Sequence, residues 1–368
     1  MTTSKKMMMA AAGAGGGGTS VWGWGRGDLG GTLDNNATVN RSSPIQMTDK
    51  NFSFFFAGGF TTLAIDSSDA LWIWGRNNWG QIGDGSQINR SSPVQIAGEY
   101  IGGANNSTSS LIIKTDGTMW AMGRNQIGQL GQGNTTDVSS PVQVGSDTDW
   151  ATVIISNAST VAAIKTGGEL YTCGSATNGL LGNGTSSPNL SAFAQVGSLT
   201  NWKTIRTNSK SFYALKTDDT LWTWGDGASG GLAQGSTTDY SSPVQIAGSW
   251  IEVDGINEGA IGIKTGGTLY TWGENNAGQL GDGSTTDRLI PVQIGSNTDW
   301  VKVAGNGNDT AGAVTSGGTL FTWGSASQGM LANGTVSPNL SSPVQVGSAT
   351  DWLDISGFSQ HFAASRTA

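Results

Sequence analysis

Short apolar runs alternate with polar, glycine-rich stretches along nearly the whole chain. The stretch 150–196, preceded by Asp149, represents the pattern, and its apolar runs lie at residues 150–155, 159–166, 170–174 and 194–196. Each run is rich in β-branched and aromatic residues, is bounded by turn-forming residues and lacks a helical period, which is typical of β-strands. Pairs such as Gly167-Gly168 stand where a hairpin turn needs positive φ. The pattern predicts units of four short antiparallel strands.

A recurring Trp-Gly phrase marks the period of this unit. Its closing glycines are Gly25, Gly75, Gly123, Gly174, Gly225, Gly273 and Gly324. Their separations are 50, 48, 51, 51, 48 and 51 residues, so one supersecondary unit has been copied along the chain. Because a single copy cannot bury its own apolar faces, each copy must pack against its neighbours.

The two ends of the chain complete each other. Residues 20–25 fit the third-strand position of a unit, whereas residues 351–355 and 361–367 fit the first two positions. Pairing of these terminal strands would close a ring and leave no open sheet edge. A linear solenoid would instead carry polar capping units, which the sequence does not show. We therefore predict an all-β, seven-bladed β-propeller of four-stranded antiparallel blades over residues 19–368, preceded by a Gly-rich tail, residues 1–18.

The Trp-Gly phrase has a structural explanation. Its tryptophans are expected to fill the wedge between neighbouring blades, and the glycine after each allows a close backbone approach that a Cβ would block. The pairs are Trp24-Gly25, Trp74-Gly75, Trp224-Gly225, Trp272-Gly273 and Trp323-Gly324. Met122 and Cys173 take the tryptophan position in the third and fourth copies, so other apolar shapes are accepted there.

Three phrases together resemble the regulator-of-chromosome-condensation repeat: Trp-Gly, Gly-Gln-Leu-Gly-x-Gly at 278–283, and Ser-Ser-Pro-Val-Gln-Val at 341–346. The resemblance covers residues 19–368 and implies a seven-bladed β-propeller. The sequence of residues 342–352 is similar to that of bacterial and bacteriophage members of the family. The family's best-known activity is nucleotide exchange on a small GTPase, with docking on chromatin. We do not expect this activity here, because the chain is acidic and lacks a basic tail and the family's Gly-x-x-His phrase.

Composition and charge limit the kinds of partner and cofactor that the protein could have. The formal charge is −8, since 18 basic residues are outnumbered by 26 acidic ones, and this argues against nucleic acid and anionic membranes as partners. No stretch approaches the roughly 20 apolar residues of a membrane span. With one histidine and one cysteine, neither a transition-metal site nor a disulfide framework is expected, and no cofactor is indicated.

The sequence offers little catalytic chemistry. Residues 227–231, Gly-Ala-Ser-Gly-Gly, match a nucleophile-elbow pattern, but the only histidine, His361, lies in a predicted strand and no strand-to-helix turn is expected. The inner strands, exemplified by 153–155 and 301–304, are mostly apolar. We therefore expect few titratable groups in the central channel, no catalytic residues and no enzymatic activity.

Two aromatic residues are candidate surface contacts, Trp79 within a loop and Tyr240 at the end of another. Exposed aromatic side chains often anchor protein interfaces. Packing against the next loop is the simpler interpretation of both.

These observations favour a non-enzymatic structural and binding propeller. We expect a bacteriophage virion surface component, capsid- or tail-associated, whose residues 1–18 contact other virion proteins and whose loops meet a partner protein or host glycan. The alternative is a bacterial adhesin or protein inhibitor, extracellular or cytoplasmic. A more remote alternative is an enzyme with a site in the central channel.

Overall fold

The computed structural model describes residues 19–27, 39–46, 52–358 and 360–367, in which antiparallel β-strands predominate. The strands are β1 (Thr19–Gly25), β2 (Arg41–Gln46), β3 (Phe52–Gly58), β4 (Thr61–Asp66), β5 (Ala70–Gly75), β6 (Arg90–Asn105), β7 (Ser109–Lys114), β8 (Met119–Gly123), β9 (Val138–Gln143), β10 (Trp150–Ile155), β11 (Thr160–Lys165), β12 (Leu170–Gly174), β13 (Leu190–Gln195), β14 (Trp202–Thr207), β15 (Ser211–Lys216), β16 (Thr220–Gly225), β17 (Tyr240–Ile256), β18 (Gly259–Lys264), β19 (Leu269–Gly273), β20 (Arg288–Gln293), β21 (Trp300–Gly305), β22 (Thr310–Thr315), β23 (Leu320–Gly324), β24 (Leu340–Gln345), β25 (Trp352–Phe358) and β26 (His361–Thr367). Three short 3-10 turns lie at Thr177–Gly179, Ala228–Gly230 and Ser327–Gly329. None of the helical segments within these ranges has the length and hydropathy to traverse a bilayer. The predicted tail, residues 1–18, lies outside the described residues.

The strands form sheets of four and seven members. Their orders are β2-β1-β26-β25, β3-β4-β5-β6-β7-β8-β9, β10-β11-β12-β13, β14-β15-β16-β17-β18-β19-β20 and β21-β22-β23-β24. In each seven-stranded sheet one long strand belongs to two four-stranded units. The first part of β6 pairs with β5 and its last part with β7, and β17 joins β16 and β18 in the same way. The predicted all-β architecture of antiparallel sheets is confirmed.

The two long strands arise from short connections between units. Four residues separate Gln95 from Tyr100, whereas six separate Gln143 from Trp150 in the following unit. The shorter connection keeps the backbone extended through the corner, where Gly98 adopts a φ of +126°. The corresponding glycine of β17 is Gly248, with a φ of +109°. These connections fall within the two 48-residue spacings of the repeat.

A circle of strands lines the centre of the molecule. Each strand that opens a unit lies against the next one around the circle: β3, β6, β10, β14, β17, β21 and β25. β25 in turn lies against β3 and closes the circle. In the same closing sheet β1 pairs with β26 from Thr19↔Thr367 to Gly25↔His361. The pairing of terminal strands that the sequence predicts is therefore present.

The tryptophans of the Trp-Gly phrase lie between units and are fully buried. Four indole N–H groups donate to backbone carbonyls of the preceding unit's loop: Trp24 to Met330 at 2.8 Å, Trp224 to Leu180 at 3.0 Å, Trp272 to Gly231 at 3.0 Å and Trp323 to Gln279 at 2.9 Å. A buried indole donor needs such a partner. These tryptophans thus fill the wedge and also fix the position of one unit on the next.

Candidate functional site: a charged central channel

A cavity of about 270 Å³ occupies the centre of the ring. Every strand of the central circle contributes to its wall, for example Phe56, Asn105, Ile154, Arg206, Asp254, Lys302 and Asp354. The cavity therefore follows the axis of the circle and is surrounded by all the units.

Charged residues of the channel occupy equivalent places on neighbouring strands. Side chains two and four positions after the opening tryptophan lie on the same side of a strand, because successive side chains alternate. On β14 and β17 these positions hold Arg206, Glu252 and Asp254, and on β21 and β25 they hold Lys302 and Asp354. Strands β3 and β10 instead contribute Phe56 and Ile154.

The expectation of a channel with few titratable groups is wrong. It was based on residues 153–155 and 301–304, where only Lys302 is charged, whereas the neighbouring copies carry charge at the channel-facing positions. A position-by-position comparison after Trp202, Trp250 and Trp352 contains this signal. The apolar residues that alternate with these charged positions are buried against the sheets, and they made the inner strands look mostly apolar.

Two cations of the channel wall, Arg206 and Lys302, approach the same carboxylate. Nη2 of Arg206 lies 4.0 Å from Oε1 of Glu252, and Nζ of Lys302 lies 4.0 Å from its Oε2. Asp254 is held differently, because its carboxylate accepts backbone N–H bonds from Gly255 at 3.0 Å and Gly305 at 3.1 Å. Burial raises the pKa of Asp254 to about 7, against the opposing effect of Arg206.

Asp354 is the most deeply buried carboxylate of the channel, with 6% of its surface exposed. Its Oδ1 accepts one hydrogen bond, from the backbone N–H of Ile355 at 2.9 Å. Within the described part of the chain, no donor lies within hydrogen-bond distance of Oδ2 and no cation lies within 4.0 Å of Asp354 or Asp254. Burial also raises the pKa of Asp354, although Lys302 acts to lower it. The channel thus holds two carboxylates without a cationic partner among the described residues.

A second charged group lies at one end of the ring. We call this end the long-loop face; it carries the turns between first and second strands and the long loops after the third strands. Its acidic patch consists of Asp226, Glu258, Glu274 and Asp309. Nζ of Lys210 lies 2.8 Å from Oε1 of Glu258 and 3.9 Å from Oδ2 of Asp226, and this raises the pKa of the lysine.

The acidic patch extends from one unit to the next. Nδ2 of Asn257 donates to Glu274 at 3.0 Å and to Asp309 at 2.9 Å. Burial raises the pKa of both carboxyls, and the nearby charge of Glu258 adds to this effect. With four carboxyls and one lysine, the patch carries net negative charge at neutral pH.

Internal hydrogen bonds hold the long loops in place. In the loop after β5, Oδ1 of Asn77 accepts from the Ile82 N–H at 2.9 Å, and Nδ2 donates to the Ser86 carbonyl at 3.0 Å. The loop after β19 repeats this arrangement around Asn275, which binds the Leu280 N–H at 3.0 Å. One buried asparagine in each loop thus replaces several backbone–backbone bonds.

The candidate surface aromatics are both half-buried. The guanidinium carbon of Arg124, from the next unit, lies 4.9 Å from the centre of the Trp79 ring. Tyr240 begins β17 and is paired with Gly225. The geometry of Trp79 is that of packing against the next loop.

The structure does not bring the nucleophile-elbow serine and the histidine together. Ser229 lies on a 3-10 turn with its Oγ 3.5 Å from Oε2 of Glu258, whereas His361 lies in β26 of another sheet. Burial lowers the pKa of His361 to about 4. Among the residues that the structure describes, no group of three or more His, Cys, Asp or Glu side chains could hold a metal ion.

Comparison with known proteins adds family evidence. A family model described as "Regulator of chromosome condensation (RCC1) repeat" matches residues 68–101, 116–163 and 266–311. Prp20p from Saccharomyces cerevisiae, whose structure is described together with its binding to Gsp1p and histones, is 16% identical over 99% of this chain and 93% of that chain, with a TM-score of 0.84. Human WBSCR16 is 17% identical over 95% of this chain and 99% of its own, also with a TM-score of 0.84. Yeast RCC1 (Prp20) bound to Kap60 is 16% identical over 99% and 91%, with a TM-score of 0.84.

Proposed function

Because this chain belongs to the regulator of chromosome condensation (RCC1) repeat family, we propose that it is a non-enzymatic propeller that binds a protein partner through its long-loop face. The observation that carries this proposal is the acidic patch, Asp226, Glu258, Glu274 and Asp309, in which Asn257 bridges two of the carboxylates and Asn275 holds the loop that carries Glu274. The partner would present a basic surface, since complementary charge guides association and sets the orientation of a complex.

Two further observations support binding through this face. The loop that carries Glu274 is already ordered by the hydrogen bonds of Asn275, so a partner would lose little affinity to the ordering of this loop. Two of the structures with this fold are also described by protein binding, namely Prp20p with Gsp1p and histones, and yeast RCC1 with Kap60.

We further infer that the propeller has seven blades. The repeat supplies seven closing glycines, and the central circle contains one strand for each of them. Dividing each seven-stranded sheet at its shared long strand gives two four-stranded blades. A particle image viewed along the channel would test this number directly.

The state of two reactive side chains supports the proposal that the protein is not an enzyme. Cys173 is buried and its pKa is raised by burial, which disfavours the nucleophilic thiolate. His361 is 1% exposed and lies in a strand away from Ser229. Neither residue reaches solvent on a face of the ring, where a macromolecular substrate would bind.

Photo-crosslinking tests the binding face. Benzoylphenylalanine is placed either at Thr237, exposed in the loop after β16, or at Thr217, exposed in the turn at the opposite end of the same strand. In extract of the organism that encodes the chain, we expect a saturable crosslink to one basic protein from position 237 and not from position 217.

Charge reversal provides the matched control. The double variant Glu258→Lys/Glu274→Lys should abolish the crosslink, whereas Glu99→Lys, at an exposed site outside the patch, should leave it unchanged. A crosslink obtained only from position 217, or one insensitive to the double variant, would overturn the proposal.

A narrower proposal concerns the biological setting: a bacteriophage particle surface, with residues 1–18 as the anchor to other virion proteins. It rests on the similarity of the sequence of residues 342–352 to that of bacteriophage members of the family. Deletion of residues 1–18 should remove the protein from purified particles, as measured by mass spectrometry, and unchanged incorporation would contradict anchoring. Host surface genes beside this gene, rather than capsid and tail genes, would favour the bacterial adhesin or inhibitor, and binding to a glycan array would identify a host glycan as ligand.

A further inference from the structure

We infer that the central channel is a binding site for a primary alkylammonium group, supplied by a small amine or by the lysine side chain of a partner protein. The site combines two carboxylates that lack a cationic partner in the described chain, Asp254 and Asp354, with an apolar wall formed by Phe56 and Ile154. The cavity reaches the turns of the long-loop face, since Asn208 and Asn257 line it, but its carboxylates are not those of the acidic patch, so variants of the two sites test the two proposals separately.

The carboxylates provide the first part of the argument. Arg206 and Lys302 both approach Glu252, and among the described residues neither lies within 4.0 Å of the two aspartates. Asp354 is more than nine-tenths buried, lines the cavity and has an Oδ2 without a hydrogen-bond donor in the described chain. An ammonium that enters the cavity, with its three N–H donors, would supply a hydrogen bond to this oxygen and a positive charge beside the carboxylate.

The apolar wall provides the second part. Around the circle, β3 and β10 lie on either side of β6, in the part without charged strands, and they contribute Phe56, Ile154 and Ile155 to the cavity. An alkyl stem can bury its methylene groups against such a wall while its charged end reaches the carboxylates. A bare metal ion or an inorganic anion would leave this wall unused.

The size of the cavity limits the ligand. Its volume of about 270 Å³ is just below the range of roughly 300–1,000 Å³ that is usual for small-molecule pockets. It accommodates one small amine or one lysine side chain, but not a folded segment.

Protonation should be linked to binding. An ammonium favours the ionised carboxylates, so its binding should release a proton wherever Asp254 or Asp354 is protonated in the free protein. The charged groups facing them are Arg206 from β14, Glu252 from β17 and Lys302 from β21, with Lys203 also in the cavity wall. Since the carboxyl pKa values are raised, affinity should increase as the pH rises through neutrality.

Calorimetric titration of the whole chain with pentylamine and with Nα-acetyl-lysine-N-methylamide tests the inference. Both amines remain protonated between about pH 5.5 and 8.5, because alkylammonium pKa values are near 10.4. We expect one-to-one binding of at least one probe, about tenfold tighter at the higher pH, with a heat that depends on the ionisation enthalpy of the buffer. Pentylamine alone would indicate a free amine as the ligand, and the lysine derivative alone would indicate a partner's side chain.

Variants and analogues supply the controls. Asp354→Asn and Asp254→Asn should each weaken binding by about tenfold or more, and Glu99→Gln, which removes an exposed carboxylate, should have no effect. Circular dichroism confirms that each variant is folded. If one aspartate variant does not fold, the other alone tests the inference. Absence of binding by both amines, equal binding of 1-pentanol, or preferential binding of pentanoate by Arg206 and Lys302 would overturn the inference.

Discussion

Gly174, at the end of a third strand, shows how tightly the backbone is packed where two strands and a loop meet. Its φ is +92°, and a Cβ at this position would lie 2.2 Å from the carbonyl oxygen of Ser159. Gly75 has a φ of +108° and would place a Cβ 2.4 Å from the Phe60 carbonyl. At both sites a side chain is disfavoured for two reasons: the positive φ of the backbone and the overlap of an added Cβ with a backbone carbonyl oxygen.

The variant Gly174→Ala should therefore lose more stability than left-handed backbone strain alone explains. Strain accounts for roughly 1–2 kcal/mol, and displacement of Ser159 should bring the total to about 3 kcal/mol or more. Urea unfolding monitored by tryptophan fluorescence measures the difference.

Gly295→Ala is the matched control for this variant. Gly295 has a φ of +64°, but no heavy atom of the described chain lies within 4 Å of the point that an added Cβ would occupy, so only the strain remains. Equal losses of stability in the two variants would show that contact with Ser159 contributes nothing.

At this scale the sequence predicted the glycines and tryptophans but not their partners. The spacing of the phrase identifies Trp224 as a residue with a repeated role, whereas the acceptor of its indole N–H, the Leu180 carbonyl, lies 44 residues earlier in the chain. Such a partner follows from how two units dock, which the pattern within one unit does not contain.

Second strands carry a repeated anchor for the loop that follows the third strand. A hydroxyl at the first position of the strand donates to the carbonyl after the closing glycine: Thr61 to Arg76 at 2.9 Å, Ser109 to Arg124 at 2.8 Å, Thr160 to Ser175 at 2.7 Å, Ser211 to Asp226 at 2.8 Å and Thr310 to Ser325 at 2.9 Å. In the closing sheet the same position is occupied by His361. Its side chain is 1% exposed, and among the described residues its Nε2 has no hydrogen-bond partner.

His361 should make the closing sheet sensitive to acid. Its pKa falls from 6.5 to about 4 on folding, so the unfolded chain binds a proton that the folded chain excludes. The stability it contributes is complete above the unfolded pKa and is lost as the pH falls from 6.5 towards 4, by about 3 kcal/mol.

The variant His361→Thr introduces the hydroxyl that five of the other six units carry at this position and tests this prediction. Between about pH 6.5 and 4 we expect the wild type to lose about 3 kcal/mol more than the variant, as measured by chemical unfolding at each pH. Asp254 has the opposite pH dependence, but it is present in both proteins and cancels in the difference. Parallel pH profiles for the two proteins would contradict this prediction.

The strands themselves were predictable because apolar runs and turn residues alternate within each unit. The continuous strand β6 was not, since it depends on a connection only two residues shorter than that of the next unit. The charged channel was missed for a related reason: the units share their buried residues, whereas Glu252 and Asp254 differ from their counterparts in other units. A site formed by residues that differ among the repeated units is missed when one unit is taken to represent all of them.

Closure of the ring joins the beginning and the end of the described chain in one sheet. β1 lies between β2 and β26, and the rings of Trp24 and Phe362 are stacked with centroids 5.6 Å apart. The sequence predicted this closure, because the two incomplete units at its ends add up to one. Its success shows that the order of repeated elements is readable even where their side-chain partners are not.

Deletion of residues 359–368 should disrupt the whole molecule rather than one strand. It removes β26, so β1 and β25 each lose a paired edge and Trp24 loses the stacked ring of Phe362. In a closed ring this opens the joint between the first and last units, and the loss should be comparable with the total stability of a domain, about 5–15 kcal/mol. We expect the truncated chain to lose the sharp unfolding transition in urea, as monitored by circular dichroism. A synthetic peptide of residues 359–368, added in excess, should restore the transition by pairing with β1, whereas a scrambled peptide should not. A truncated chain that unfolds at the wild-type midpoint would show that the ring does not depend on this pairing.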